Sequence, residues 1–219
     1  MTHAGTLDLR DVTIRLRRSG VAIFDGLGLS VGPGGVTTLM GPSGSGKSTL
    51  LAFCGGSLDR EAFTAQGAVL IGGERVEALP PERRRLGLLL QDPLLFPHLS
   101  VAGNLLYGLP RQRARGRSER RRIVEDALGQ AGLQGYADRD PTTLSGGQRA
   151  RVALLRTLLA EPRALLLDEP FSKLDAALRE DVRAFVFDHA RARGLPTLLV
   201  THDEADARAA GGPVVLVER

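Results

Sequence analysis

A chain of 219 residues, 42% hydrophobic and only 4% aromatic, has room for one large domain or two small ones and can bury a substantial core. Its net charge of +4 invites a nucleic-acid or anionic-surface reading, yet the cations are almost all arginine, with Lys47 and Lys173 the two lysines, and stacking aromatics are scarce. No apolar run nears the roughly 18 residues that span a bilayer, and the single cysteine, Cys54, excludes an internal disulfide.

Residues 1–5 lack the charged and apolar regions of a secretory leader, so a cytoplasmic location is expected. Residues 7–16 alternate apolar and polar positions (Leu7, Leu9, Val12, Ile14, Leu16), and residues 22–31 do much the same. Both are predicted antiparallel strands with one wet face. A buried strand at 36–40 runs into Gly41-Pro42-Ser43-Gly44-Ser45-Gly46-Lys47-Ser48-Thr49, and a helix begins at 48–53. Strand, glycine loop and helix are the context a phosphate-binding loop requires.

Short strands at 69–71 and 86–90 follow, the second ending at Gln91. From 92 to 143 strand-like runs give way to helical spacing, as in Ile123, Ala127, Leu128 and Ala131, which predicts a helical subdomain inserted into an α/β core. Within it, residues 111–122 are dense in arginine, with Glu119 as the lone acid and no aromatic. That cluster is read as a solvated loop and helix face; contact with lipid headgroups or a membrane partner is the alternative, and no nucleic acid is expected. Beyond Gln148 come a helix (149–159), a strand (164–168), a helix (176–193), a strand (197–201) and a last strand (213–217). No internal repeat is visible.

The chemistry concentrates in three places. In the glycine loop, Gly44 and Gly46 let backbone N–H groups curl around phosphates, and the next helix points its positive end at them. Lys47 supplies charge for the β- and γ-phosphates, and the Ser48 hydroxyl is a ligand for Mg²⁺. Asp168 ends an apolar strand, where a carboxylate can reach Mg²⁺ through a water at the carboxyl edge of a parallel sheet. Leu144-Ser145-Gly146-Gly147-Gln148 is a second glycine nest ahead of a second helix, and so a second anion site. Gln91, at the junction with the helical insertion, is placed to touch both the metal and an attacking water. Cys54 reads as a small buried hydrophobe, and His98 and His189 show no metal-ligand pattern.

This order of motifs, a phosphate loop, then LSGGQ, then Leu165-Leu166-Leu167-Asp168-Glu169-Pro170, resembles the ATP-binding cassette family over nearly the whole chain. The resemblance implies a P-loop ATPase with an antiparallel β region, a core formed by 1–91 and 149–219, and a helical subdomain at 92–148. It implies that Glu169 is the catalytic base, that His202 senses the γ-phosphate, and that Asp175 contacts the opposite subunit. It further implies a head-to-tail homodimer in which Lys47 of one subunit and Ser145, Gly146 and Gly147 of the other sandwich each ATP. Phe96-Pro97-His98-Leu99-Ser100-Val101 resembles the importer branch, which adds permease subunits, a solute-binding protein and a peripheral place on the inner face of the cell membrane. The chain ends soon after His202, so the C-terminal regulatory domain of the sugar-type members is not expected.

The chain departs from the family in two places. No aromatic precedes Phe24, so an adenine ring would rest on Arg15, Arg17 or Arg18. Lys173 stands where a small or neutral residue is usual. A second class of LSGGQ ATPase clamps DNA or the ribosome, and a third acts on membrane lipid; clamps usually carry two cassettes or a long coiled coil, and this chain has one cassette and a short insertion.

Overall fold

Alternation at the start of the chain builds an antiparallel sheet. β1 (Leu7–Leu16) and β2 (Ala22–Val31) pair with Ile14 opposite Phe24. In the computed structural model, which describes residues 5–217, β4 (Phe63–Ile71) and β5 (Glu74–Arg75) complete the order β2-β1-β4-β5. Residues 1–4, on which most of the leader reading rests, lie outside the described residues. β4 begins at Phe63, well before the predicted 69, because pairing with β1 carries the polar stretch along, with Thr13 opposite Gln66 and Leu16 opposite Phe63. Cross-strand pairing here outweighs weak local strand propensity.

The second sheet is built from the apolar runs. It comprises β3 (Val36–Met40), β6 (Leu86–Leu89), β7 (Ala164–Asp168), β8 (Thr197–Thr201) and β9 (Val214–Leu216), in the order β6-β7-β8-β3-β9. β3 lies parallel to β8 and β9, and β7 lies parallel to β8. Every residue of β8 is buried, as expected for an interior strand of a parallel sheet. Leu39, Leu166, Leu198 and Val200 share one core with Leu7, Leu9, Ile14 and Phe24 of the first sheet. α1 (Lys47–Gly55) adds Leu50, Leu51 and Cys54 to that core. The thiol of Cys54 is pushed up to about 12 by burial, so it is an inert hydrophobe.

The chain divides into two units, one of residues 1–88, 163–169 and 189–219, the other of 89–162 and 170–188. The second is helical: α3 (Val101–Gly108), α4 (Arg117–Gln130), α5 (Gly146–Leu159) and most of α6 (Ala176–Ala192). This boundary differs from the expected subdomain of 92–148. The reason is packing: Val152 and Leu155 of α5 share a core with Val101, Leu105, Val124 and Leu128, and Phe185 of α6 packs against it. Two short helices in the first unit went unpredicted, α2 (Pro81–Arg84) and α7 (Glu204–Ala210). The second had a readable start and stop, an Asp203 side chain that accepts from the Ala205 N–H and a left-handed Gly211.

Candidate nucleotide site

The register of the parallel sheet decides where the site lies. Met40 is opposite Thr201 and Asp168 is opposite Val200, so β3, β7 and β8 end nearly level. The residues that follow, Gly41 onward, Glu169 and His202, therefore emerge along one carboxyl edge, where ligands bind in open α/β sheets.

The loop from β3 to α1 needs its glycines. Gly44 and Gly46 have φ of +81° and +89°. A Cβ on Gly46 would sit 2.0 Å from Ile23 Cγ2, so β2 leaves no room for a side chain there. Lys47 is 5% exposed, and its ammonium donates to the carbonyls of Gly41 and Pro42, both at 2.8 Å, and to Ser45 Oγ at 3.3 Å. The loop thus curls around its own lysine, Pro42, Ser43, Gly44 and Ser48 are exposed, and Thr49 is half-buried behind them. Ser48 Oγ donates to Asp168 Oδ1 at 3.0 Å, across 120 residues of sequence. Burial, and then the neighbouring Glu169 charge, raise the Asp168 carboxyl above the ordinary aspartate range, while Ser48 and Lys47 pull the other way. A hydroxyl and a carboxylate beside an anion-binding loop form a hard-oxygen pair that fits Mg²⁺, which takes its remaining ligands from phosphate and water.

Glu169 sits one residue beyond β7 in a left-handed backbone conformation, φ +46°, and its N–H donates to the Val200 carbonyl at 2.9 Å. His202 Nδ1 donates to Glu169 Oε1 at 3.0 Å. Because a carboxylate only accepts, the bond places the proton on Nδ1 and leaves Nε2 for another partner. The turn holding His202 is itself fixed: Thr201 Oγ1 donates to Asp206 Oδ2 at 3.1 Å and accepts from the Asp203 N–H at 3.0 Å.

The other expected residues belong to the helical unit. Ser145 caps α5, and a reciprocal capping box forms: its Oγ accepts from the Gln148 N–H at 3.3 Å, while Gln148 Oε1 accepts from the Ser145 N–H at 2.9 Å. Helix α5 therefore starts inside the LSGGQ run rather than after it. The Gln148 amide also donates to the Tyr136 hydroxyl at 3.2 Å, which turns that side chain inward. Helix geometry leaves the first-turn N–H groups of Gly146 and Gly147 without an intrahelical acceptor, although Gly147 itself is buried. A Cβ on Gly147 would lie 2.4 Å from Leu178 Cδ2, so that position also has no room for a side chain. Asp175 Oδ1 accepts from the Leu178 N–H at 3.0 Å at the start of α6. Lys173 pairs with Asp92, the residue after exposed Gln91, at 3.4 Å.

Two of the three expected adenine-bearing arginines are engaged elsewhere. Arg15 pairs with Asp25 at 3.1 Å. Arg17 donates from Nε to the Arg60 carbonyl at 3.0 Å and is therefore a brace for the turn before β4. Arg18 remains, exposed at the β1–β2 turn.

Sequence reasoning missed a latch on the segment after Gln91. Fully buried Asn104 accepts from the Phe96 N–H at 2.8 Å and donates to the carbonyls of Phe96 and Ser100, both at 3.1 Å. Arg156 donates to the carbonyls of Leu94 and Pro93 at 2.9 and 3.1 Å. The signal available was an asparagine among Val101, Ala102 and Leu105, a polar residue on an apolar helix face. Leu94 and Tyr107 are 58% and 72% exposed, whereas Leu95 and Phe96 are half-buried.

A family model described as ABC transporter matches residues 24–172. YnjD of Escherichia coli K12, an uncharacterised ABC transporter ATP-binding protein, is 48% identical over 203 residues, 93% of this chain and 91% of that protein. The sulfate/thiosulfate import ATP-binding protein CysA of Mycolicibacterium paratuberculosis is 43% identical over 212 residues, covering 94% of this chain and 57% of that protein. The ferric-ion import ATP-binding protein FbpC of Streptomyces coelicolor is 40% identical over 211 residues, covering 96% and 59%. The chain thus spans little more than half the length of these import proteins.

Proposed function

This chain belongs to the ABC transporter family as an ATP-binding, ATP-hydrolysing subunit, and from that premise we propose that it drives a solute importer. Support comes from relatives named for import of sulfate or thiosulfate, ferric ions, and spermidine or putrescine. Because those relatives serve unlike solutes, selectivity is assigned to permease and solute-binding partners rather than to this subunit. No described helix is long and apolar enough to cross a membrane, and the subunit is proposed to reach the inner face of the cell membrane through its permease. The longest described helix, α6, has 17 residues and offers no coiled-coil arm of the kind a DNA clamp uses.

The observation that carries the mechanism is the row Ser48–Asp168 and Glu169–His202 along one sheet edge, with contacts of 3.0 Å in each pair. The loop N–H groups and Lys47 hold the β- and γ-phosphates. Ser48 and Asp168 would hold Mg²⁺, which when bound would neutralise phosphate charge. Glu169 accepts a hydrogen bond from the attacking water and polarises it, and His202 keeps that carboxylate aimed; its Nε2 would donate to a γ-phosphate oxygen only with both ring nitrogens protonated. The first-turn N–H groups of Gly146 and Gly147, beside the Ser145 cap, complete the site on a second copy of the chain, where Asp175 contributes to the dimer contact. In this reading each ATP lies between two subunits.

Glu169→Gln tests it. Hydrolysis should fall by roughly 10²–10⁴-fold while ATP binding persists, and the variant should elute as an ATP-dependent dimer in gel filtration. Wild-type turnover in that variant would remove Glu169 from the mechanism. A specific activity independent of protein concentration, far below the dimer dissociation constant, would remove the sandwich.

A further inference from the structure

The arginine-dense segment 111–122 separates, in the structure, into two sets. Four of its cations have partners. Arg113 pairs with Glu161 at 2.8 Å, Arg121 with Glu125 and Asp138 at 3.2 and 3.0 Å, and Arg122 with Asp126 at 3.7 Å. Arg120 turns inward and donates to the carbonyls of Leu106, Leu109 and Pro110 at 3.0, 2.9 and 3.1 Å. Arg111, Arg115 and Arg117 are exposed and have no carboxylate partner among the described residues. The acid within the segment, Glu119, accepts from the Arg115 backbone N–H at 2.6 Å.

The unpaired set is not explained by stability. Arg117 is the first residue of α4, and Gly116 before it provides no side-chain cap. A cation at a helix N-terminus opposes the helix dipole. Like charges crowded on one short loop also repel each other. The loop is nevertheless held in place, because Arg120 ties the start of α4 to the last turn of α3 and to Pro110. That last turn presents Tyr107, 72% exposed. The result is a fixed loop with three free guanidinium groups beside an exposed tyrosine, the composition that sits well at a membrane–water interface. A single-stranded nucleic acid would want aromatics between the arginines, and residues 111–122 hold none.

We propose that the loop 110–117 of the helical unit binds the headgroups of anionic phospholipids beside the permease. The inference rests on the membrane-side placement proposed above, and it adds a direct contact between this subunit and lipid. Guanidinium groups suit the partner because each can fork onto two phosphate oxygens.

The test is vesicle sedimentation of the purified full chain. The vesicles are phosphatidylcholine alone, or phosphatidylcholine with about a third phosphatidylglycerol. The wild type should bind the anionic vesicles, release them as salt is raised, and leave the neutral ones in solution. Arg111→Gln/Arg115→Gln/Arg117→Gln should lower the partition coefficient about a hundredfold, at about fivefold per arginine near an anionic surface. A charge-matched control, Arg10→Gln/Arg60→Gln/Arg83→Gln, changes three exposed arginines of the other unit and should retain most of the binding. Equal loss in the two triple variants would reduce the effect to overall charge and overturn the proposal. So would equal binding to both kinds of vesicle, or no binding at all. The importer reading is tested separately by permease-stimulated ATPase in detergent, which involves no vesicle.

Discussion

Replacing Arg84 should unseat the end of the phosphate-loop helix. The side chain is 4% exposed, and burial lowers its pKa. Its guanidinium donates to four backbone carbonyls: Leu79 at 2.9 Å, and Phe53, Cys54 and Glu77 at 2.7 Å. Two of those acceptors close α1, whose left-handed cap Gly56 packs so tightly that a Cβ there would lie 2.8 Å from Arg84 Cζ. Arg84→Leu keeps the bulk and strands the acceptors. Each buried carbonyl left without a donor costs about 1–3 kcal/mol, and a total of about 3–4 kcal/mol corresponds, for a chain of this size, to a Tm lower by about 10 °C. Arg84→Lys should recover less than half, because one ammonium cannot reproduce the planar fork. The assay is thermal and urea unfolding of the three proteins with and without ATP. Saturating ATP should raise Tm by a similar increment in wild type and Arg84→Leu, since the ligand site itself is untouched. A Tm within about 2 °C of wild type for Arg84→Leu would show that water replaces the guanidinium at little cost, and would refute the reasoning.

Asp168 has a raised carboxyl pKa in the fold, so the nucleotide-free subunit loses stability as pH rises through that folded value. Asp168→Asn should therefore show a higher Tm than wild type at pH 8 without nucleotide, the gap closing as pH falls toward the ordinary aspartate range, and should bind Mg²⁺-ATP more weakly; calorimetry across pH checks both. If the permease docks on the latched segment after Gln91, Leu94→Glu at its exposed rim should reduce solute transport at least about tenfold with basal ATPase intact. Leu95→Glu should instead lower Tm, because that side chain packs against the helical core. GTP should bind within roughly tenfold of ATP, since Arg15 and Arg17 are engaged and no early aromatic grips the base; competition titration against Arg18→Ala, which should weaken ATP by a few fold, measures it. A strong ATP preference that survives Arg18→Ala would mean that another element holds adenine.

Much of the arrangement of the candidate site is legible in the chain because its residues fall at short spacings. Gly44, Gly46, Lys47 and Ser48 follow a buried strand directly, and Asp168 and Glu169 end another. What could not be read are the residues whose partners are backbone carbonyls far along the chain. Arg84 and Arg156 look like ordinary members of their segments, and nothing local marks where Phe53 or Leu94 would present a carbonyl. The extent of the helical unit is set by packing for a similar reason. The apolar stripe of α5 fits either a sheet or a helix as its neighbour, and only the packed structure chooses Val101, Leu105 and Leu128. The engagement of Arg17 was likewise hidden, since its acceptor at Arg60 lies 43 residues away.

In the proposed mechanism the left-handed backbone of Glu169 sets activity against durability. A side chain other than glycine or asparagine is disfavoured at such a φ, and holding glutamate there costs about 1–2 kcal/mol. In the mechanism proposed above, hydrolysis needs glutamate there despite that cost. A gene copy relieved of turnover would be free to drift to glycine or asparagine at position 169 and would gain heat tolerance by doing so. An evolution experiment that selects this chain for solubility or thermal survival alone should therefore collect inactive proteins altered at this position, unless every round also demands phosphate release.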